Sequence, residues 1–98
     1  MIQVRNVFRL KFGKAKEAKE LWKEVLPIQK KYGYGPAKAF ADVSGPFYTF
    51  VLEFTFNDLA DFEKRSKETM GQPDFQAWYH KFSAIIESGT REIYTILE

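Results

Sequence analysis

The chain contains no cysteine and a single histidine, and these absences exclude several kinds of chemistry. Without cysteine there is no disulfide framework, no thiol nucleophile and no thiolate ligand for a metal. One histidine without carboxylates on the same face supplies too few ligands for a metal site. We therefore predict neither a metal nor another cofactor.

An excess of charge of one sign and long apolar runs are also missing. Lysine and arginine total 15 against 13 aspartates and glutamates, so the net charge is +2, and the two signs alternate along the helical segments. This pattern does not indicate binding to nucleic acid or to an anionic membrane. Residues 1–12 alternate between apolar and polar, which argues against a signal peptide and a membrane span. By exclusion, we expect a cytoplasmic protein.

Aromatic residues are abundant, at 17% of the chain, and ten of them are phenylalanine. Each buried ring removes on the order of 150–250 Å² from water, so a core built from rings stabilises even a short chain. At 98 residues the chain is long enough for one core and too short for two. We therefore predict one domain over residues 1–98.

Alternation of apolar and polar residues predicts four strands. They cover residues 2–12, 37–43, 47–56 and 90–97. Gly45 and Pro46 leave room only for a short hairpin, so the second and third strands are expected to be antiparallel neighbours. The third strand has the strongest pattern, because its large apolar side chains share one face: Tyr48, Phe50, Leu52, Phe54 and Phe56.

The first helix is predicted to begin near Lys14, where the apolar period changes from two to about 3.6 residues. Pro27 lies inside this pattern and removes one backbone donor, so the helix is predicted to kink or end near Leu26. The inner stripe of this helix consists of Ala18, Leu21, Trp22, Val25, Gln29 and Tyr32.

The second helical segment follows the third strand, and Asn57 or Asp58 is expected to cap it. Residues 70–73 interrupt the pattern, as either a rigid turn or a mobile lid around Gly71, and Pro73 is well suited to begin a helix again. A wide apolar stripe then continues until Gly89 ends it: Phe75, Trp78, Tyr79, Phe82, Ile85 and Ile86.

The order strand, helix, strand, strand, helix, strand predicts an α+β fold of the ferredoxin-like βαββαβ kind. One four-stranded antiparallel sheet carries two helices on one face, and the first and third strands pair at its centre. The opposite face suits packing against a second copy, so we predict a homodimer through this sheet face. It mixes apolar or β-branched residues with charges: Val7, Phe47, Thr49, Val51 and Thr55 beside Arg5, Arg9, Lys11 and Glu53.

Short motifs are spread over nearly the whole chain. They are Leu10-Lys11-Phe12-Gly13-Lys14, Glu20-Leu21-Trp22, Leu59-Ala60-Asp61, Phe75-Gln76-Ala77-Trp78 and Ile85-Ile86-Glu87-Ser88. Together they resemble the NIPSNAP domain family. The resemblance implies a dimeric α+β barrel, in which two ferredoxin-like sheets pack face to face.

The family resemblance implies little chemistry, since its members are largely of unassigned role. Related dimeric barrels include cofactor-independent monooxygenases and haem-degrading enzymes, whose sites lie between the helices and the sheet. NIPSNAP domains also often place a polar residue or a histidine near the end of the third strand. The matching stretch here, Val51-Leu52-Glu53-Phe54, has no histidine, which weakens any transfer of activity.

Asn6 is the one polar residue on the apolar face of the first strand, so it should point toward the helices. A buried amide must be hydrogen-bonded. In the haem-degrading relatives an asparagine on the first strand is catalytic, and the resemblance makes Asn6 a candidate catalytic residue. The alternative is an asparagine satisfied by backbone or water.

Four aromatic side chains are candidates for binding a small apolar or aromatic molecule. Trp22 and Trp78 lie on the inner stripes of the two helices, while Tyr48 and Tyr79 add hydroxyl groups that could orient a ligand. Rings at helical spacing are also typical of a plain core. The sequence leaves both interpretations open.

His80 should face solvent, because it points about 160° away from the centre of the apolar stripe. This argues against haem ligation and makes haem degradation the least favoured function.

Two hypotheses remain open. One is a non-enzymatic dimeric barrel that binds a small apolar molecule or a protein partner. The other is a monooxygenase of aromatic or quinol substrates, resembling the antibiotic-biosynthesis monooxygenases, in which Asn6 polarises an oxyanion.

Overall fold

The computed structural model describes residues 1–34 and 37–98 of the chain. Its elements alternate as the sequence predicts, which confirms the α+β class and the βαββαβ plan, with the second helical segment divided in two. They are β1 (Ile2–Leu10), α1 (Ala15–Lys31), β2 (Ala37–Ala41), β3 (Thr49–Phe56), α2 (Leu59–Met70), α3 (Pro73–Ile85) and β4 (Ile86–Thr95).

The four strands form one antiparallel sheet in the order β2-β3-β1-β4, so β1 and β3 pair at its centre as predicted. The helices cover one face, called the inner face here. Burying a large apolar side chain contributes about 1.5–3 kcal/mol to stability, so this face accounts for much of the fold. Its buried members are each at most 5% exposed: Val4, Leu10, Phe50, Leu52, Phe54 and Phe56.

The outer face of the sheet carries side chains in rows that cross the strands. The apolar row joins four residues in register, Phe40, Val51, Val7 and Thr90. Beside it, the charged row joins Lys38, Glu53, Arg5 and Glu92, and it alternates in sign from strand to strand. The Nε atom of Arg5 lies 3.8 Å from Glu53 and 3.7 Å from Glu92. These pairs are half-exposed and contribute little to stability individually.

Each of the four strands differs from its predicted bounds at one end or both. β1 ends at Leu10, since Gly13 turns the chain with a φ of 81° and leaves Phe12 79% exposed. β3 begins at Thr49, because Tyr48 has a φ of 60° and interrupts the extended backbone. The rings of Phe12 and Tyr48 contact each other at 5.0 Å. β2 likewise ends at Ala41 instead of residue 43.

Helix α1 runs through Pro27 to Lys31, so the predicted end near Leu26 does not occur. Pro27 deprives the carbonyl group of Lys23 of its helical partner. Both residues are exposed, and water can therefore donate to that carbonyl. Neither α1 nor the shorter helices of the described residues combine the length and the apolar character that crossing a bilayer requires.

The second helical segment begins and restarts where the sequence predicts. The carboxylate of Asp58 caps α2 by accepting from the backbone N–H of Asp61 at 2.7 Å, and Pro73 is the first residue of α3. The predicted end at Gly89 is wrong, because α3 stops at Ile85 and β4 begins at Ile86 without a loop. Gly89 lies inside β4, where a Cβ atom would meet the ring of Phe8 at 2.9 Å.

Candidate functional site

A cavity of about 130 Å³ lies between the helices and the inner face of the sheet. Most of its wall is apolar, formed by Phe8, Leu52, Phe54, Phe62, Met70, Phe75, Trp78 and Phe82. Its polar lining residues are Asn6, Gln29, Tyr34, Ser66, Tyr79 and Arg91. An apolar space with a few polar groups is the usual composition of a small-molecule site.

Contacts between rings fix the wall of this cavity. Phe82 stacks on Trp78 with ring centres 4.8 Å apart and meets Phe8 edge-on at 5.0 Å. The indole N–H of Trp78 donates to the backbone carbonyl of Leu21 at 2.6 Å, which joins α3 to α1. Because this N–H is already paired, Trp78 can offer a ligand its ring surface but not its hydrogen-bond donor.

Asn6 and Arg91 face each other across the β1 and β4 pair. The Nε of Arg91 donates to the Oδ1 of Asn6 at 2.8 Å, and the guanidinium carbon lies 5.2 Å from the centre of the Phe62 ring. Within residues 1–34 and 37–98, Arg91 forms no ion pair with a carboxylate. A neutral amide and a ring therefore orient this cation, and its charge is not neutralised locally.

Gln29 reaches the cavity from α1 and is only 6% exposed. Its Oε1 atom is buried and has no hydrogen-bond partner in the described part of the chain. An unsatisfied buried acceptor costs about 1–3 kcal/mol, so this position favours a bound group that can donate. The sequence carried a signal for it, since Gln29 is a polar residue on an otherwise mostly apolar stripe.

The rim of the cavity is formed on one side by the exposed Arg91 of β4 and on the other by the segment where α2 ends and α3 begins. Met70 is 58% exposed and Tyr79 is 54% exposed, so both separate the cavity from solvent. The turn between the helices is hydrogen-bonded: the N–H of Gln72 donates to Thr69 at 3.1 Å, and the side chain of Gln76 donates to the carbonyl of Met70 at 3.1 Å. The interruption foreseen at residues 70–73 is thus one edge of the cavity.

The structure brings together three of the five residues singled out from the sequence. Asn6, Trp78 and Tyr79 all line the cavity. Trp22 instead faces a groove between α1 and β2, where its buried Nε1 has no described partner. Tyr48 lies in the turn just before β3 and does not line the cavity either. The two helical tryptophans are therefore not equivalent, although both occupy inner stripes.

His80 is exposed, as its position on the stripe predicts, and lies in a shallow surface depression beside Gln76. The described residues contain no cluster of three or more histidine, aspartate or glutamate side chains able to hold a metal ion. The cavity therefore offers hydrogen-bonding groups and one cation as its polar chemistry.

Two of the groups with a shifted pKa lie at the start of α2 and on β4, outside the cavity lining. The backbone N–H of Asn57 donates to the carboxylate of Asp61 and, together with Arg65, lowers the pKa of that carboxyl. A hydrogen bond with Glu92 raises the pKa of the Tyr94 hydroxyl on the outer face. Both shifts reflect local structure at the start of α2 and on β4.

Comparison with known proteins yields one family. A family model described as NIPSNAP matches residues 4–98. No curated protein matches the chain. The fold is shared with a protein from Agrobacterium tumefaciens, at 25% sequence identity and a TM-score of 0.90, covering 97% of this chain and 92% of that chain.

Two further solved structures share this fold at lower identity. An uncharacterized NIPSNAP domain protein from Burkholderia xenovorans is 17% identical with a TM-score of 0.91, covering 99% of this chain and 95% of that chain. A cofactor-independent oxygenase from Streptomyces nogalater is 13% identical with a TM-score of 0.77, covering 99% of this chain and 93% of that chain. At these identities the similarity extends to the fold alone.

Proposed function

This chain belongs to the NIPSNAP family, and we propose that it binds a small aromatic molecule in the cavity between its helices and its sheet. The observation that carries the proposal is the composition of the cavity wall, in which Phe8, Trp78 and Phe82 surround a space reached by the amide groups of Asn6 and Gln29. A close-packed core seldom leaves a space of this size.

The volume limits the size of the ligand. Apolar cavities of roughly 150 Å³ hold a benzene-sized molecule. The cavity of about 130 Å³ therefore suits one ring, together with substituents that extend past the rim. A ligand of several fused rings would require Met70 and Tyr79 to move outward.

The two tryptophans give a direct test. In a heteronuclear NMR titration with phenol or toluene, we expect the indole signal of Trp78 to shift, because its ring lines the cavity. The signal of Trp22, assigned with Trp22→Phe, should stay in place, since that ring faces the groove beside β2. A shift of Trp22 alone, or no shift of either signal, would contradict the proposal.

A blocking variant strengthens this test. Ser66 lines the cavity from α2, so Ser66→Leu should fill part of the space and abolish the shift of Trp78. Ala77 is exposed on α3, and Ala77→Leu adds the same side chain outside the cavity. The control should bind as the parent does. Equal binding by both variants would place the ligand elsewhere.

A second candidate function is oxidation of an electron-rich phenol or quinol by dioxygen without a cofactor. The observation that favours it is Asn6, whose side-chain amide reaches a ring-lined cavity and could donate to a developing oxyanion. We expect oxygen consumption with model quinols that is lost in Asn6→Ala and kept in Gln3→Ala, a change on the opposite face of the same strand. Equal rates with and without the protein would exclude this activity.

We also propose that two copies pair through the outer face. The apolar row supports this, because Phe40 is 48% exposed and adjoins Val51 on β3, which in turn pairs with Val7 on β1. Two such rows can pack across a two-fold axis. Light scattering should give the mass of two chains, and Phe40→Glu should reduce it to one. A parent with the mass of one chain at micromolar concentration would contradict the pairing.

A further inference from the structure

The rim of the cavity carries an oriented positive charge. Arg91 uses its Nε to donate to Asn6, and its guanidinium lies over the ring of Phe62. These contacts leave the terminal nitrogens available to a further acceptor. A planar guanidinium matches a carboxylate with two parallel hydrogen bonds, and no described carboxylate occupies this position.

A second polar group reaches the cavity from the other side. Gln29 belongs to α1, which contacts β2 at one edge of the sheet, while Arg91 belongs to β4 at the opposite edge. The Oε1 of Gln29 is buried and without a described partner, so it is available to accept from a ligand donor. The cavity thus has an acceptor inside, rings along its wall and a cation at its rim.

We infer that the ligand is a one-ring aromatic carboxylate with a hydroxyl group on the ring, an inference that rests on the binding function proposed above. The carboxylate pairs with Arg91 at the rim, where it stays partly solvated. The ring lies against Trp78 and Phe82, and the hydroxyl donates to Gln29. The volume agrees with this placement, because only the ring must fit inside about 130 Å³.

Asn6 acts here as a positioning residue. Its Oδ1 accepts from the Nε of Arg91 at 2.8 Å, which limits rotation of the guanidinium and leaves the terminal nitrogens free for a ligand. Loss of this contact frees the arginine to rotate, so Asn6→Ala should weaken binding of carboxylates more than binding of neutral rings. A purely structural role would weaken both to the same extent.

The test is a calorimetric titration with three probes. They are 4-hydroxybenzoate, benzoate, which lacks the hydroxyl group, and phenol, which lacks the carboxylate. We expect 4-hydroxybenzoate to bind tightest. Phenol should bind about tenfold more weakly or worse, because it loses hydrogen bonds to a charged partner. Benzoate should bind about fivefold more weakly, because it loses one neutral hydrogen bond.

Variants assign these differences to residues. Arg91→Gln should abolish the preference for 4-hydroxybenzoate over phenol without changing the affinity for phenol. Gln29→Met, which keeps the size of the side chain, should abolish the preference over benzoate. Lys23→Gln removes one exposed positive charge from α1 and should change neither preference. Circular dichroism establishes whether each variant is folded. If a variant does not fold, the affinities of the parent protein for the three probes still test the inference.

The outcomes separate this inference from the binding function itself. If phenol binds as tightly as 4-hydroxybenzoate, or if Arg91→Gln keeps the preference, the assignment of an aromatic acid is overturned while the cavity remains a binding site. If none of the probes binds and the Trp78 signal stays in place, the binding function fails together with the inference. If a water molecule donates to Gln29 and the site does not discriminate among the probes, the first of these results is expected.

Discussion

The two helical connections of this fold follow the same plan but cover the sheet differently. The first is one helix of 17 residues that continues through Pro27. The second is divided at Gly71 and Gln72 into helices of 12 and 13 residues. α1 lines the cavity with Gln29 alone among its described residues, whereas α2 and α3 together supply half of the lining residues. The division of the second connection therefore coincides with the cavity and its rim.

The largest expected effect comes from the wall that the second connection builds. Phe82 is 2% exposed and packs on both Trp78 and Phe8. Phe82→Ala should lower the free energy of unfolding by about 3–5 kcal/mol. Val25 is fully buried in α1, and Val25→Ala should cost about 2 kcal/mol, since it removes less apolar surface. Urea denaturation measures both. Equal losses would contradict the larger contribution expected from the ring contacts of Phe82.

Overpacking beside the cavity should have the next largest effect. Gly89→Ala brings a methyl group within 2.9 Å of the Phe8 ring, so it should cost about 1–3 kcal/mol. Gly71→Ala, at the division between α2 and α3, meets its nearest atoms at 3.7 Å and should change stability by less than about 0.5 kcal/mol. A larger loss at Gly71 than at Gly89 would show that the turn, and not the β1–β4 contact, is the constrained position.

A change in the continuous helix should stabilise the protein. Pro27→Ala restores an N–H that can donate to the carbonyl of Lys23, and the site is exposed. The gain should be about 1 kcal/mol, because the greater freedom of the unfolded chain offsets part of the improved helix propensity. A rise in the midpoint of thermal unfolding measures it. A fall would mean that Pro27 itself improves the packing of α1.

The smallest effect concerns pH and the start of α2. In the folded chain the pKa of Asp61 is below its usual 3.8, mainly because the N–H of Asn57 donates to it. A lowered pKa contributes stability that is complete above the unfolded value and is lost as pH falls through the folded value. Asp61→Asn should therefore flatten the decrease in stability toward acid pH. Parallel curves for parent and variant would contradict this.

The sheet was predictable because its signals are local. Alternation within β1 and β3 assigned their faces, and the same alternation identified Asn6 as the polar exception. The helix boundaries were less predictable at two points. Pro27 did not end α1, because water can satisfy the freed carbonyl, and Gly89 did not end α3, because it is needed for a close contact with Phe8.

The candidate site was only partly predictable, since it depends on contacts between distant parts of the chain. Arg91 meets Asn6 across 85 residues, and only the register of β1 with β4 reveals the pair. The position of Gln29 on the inner stripe could be predicted from the sequence, but the absence of a hydrogen-bond partner for its oxygen could not. Trp22 and Trp78 look alike in a helical pattern. Their separation follows from where each helix lies on the sheet.

The charged row on the outer face has a consequence for how another molecule meets that face. Its four charges, on Lys38, Glu53, Arg5 and Glu92, alternate and sum to zero. The fields of neighbouring opposite charges largely cancel, and salt screens the remainder beyond about one Debye length, roughly 8–10 Å at moderate salt. The row therefore neither attracts nor repels an approaching surface at long range. It discriminates at contact, where a shift by one strand would place like charges together.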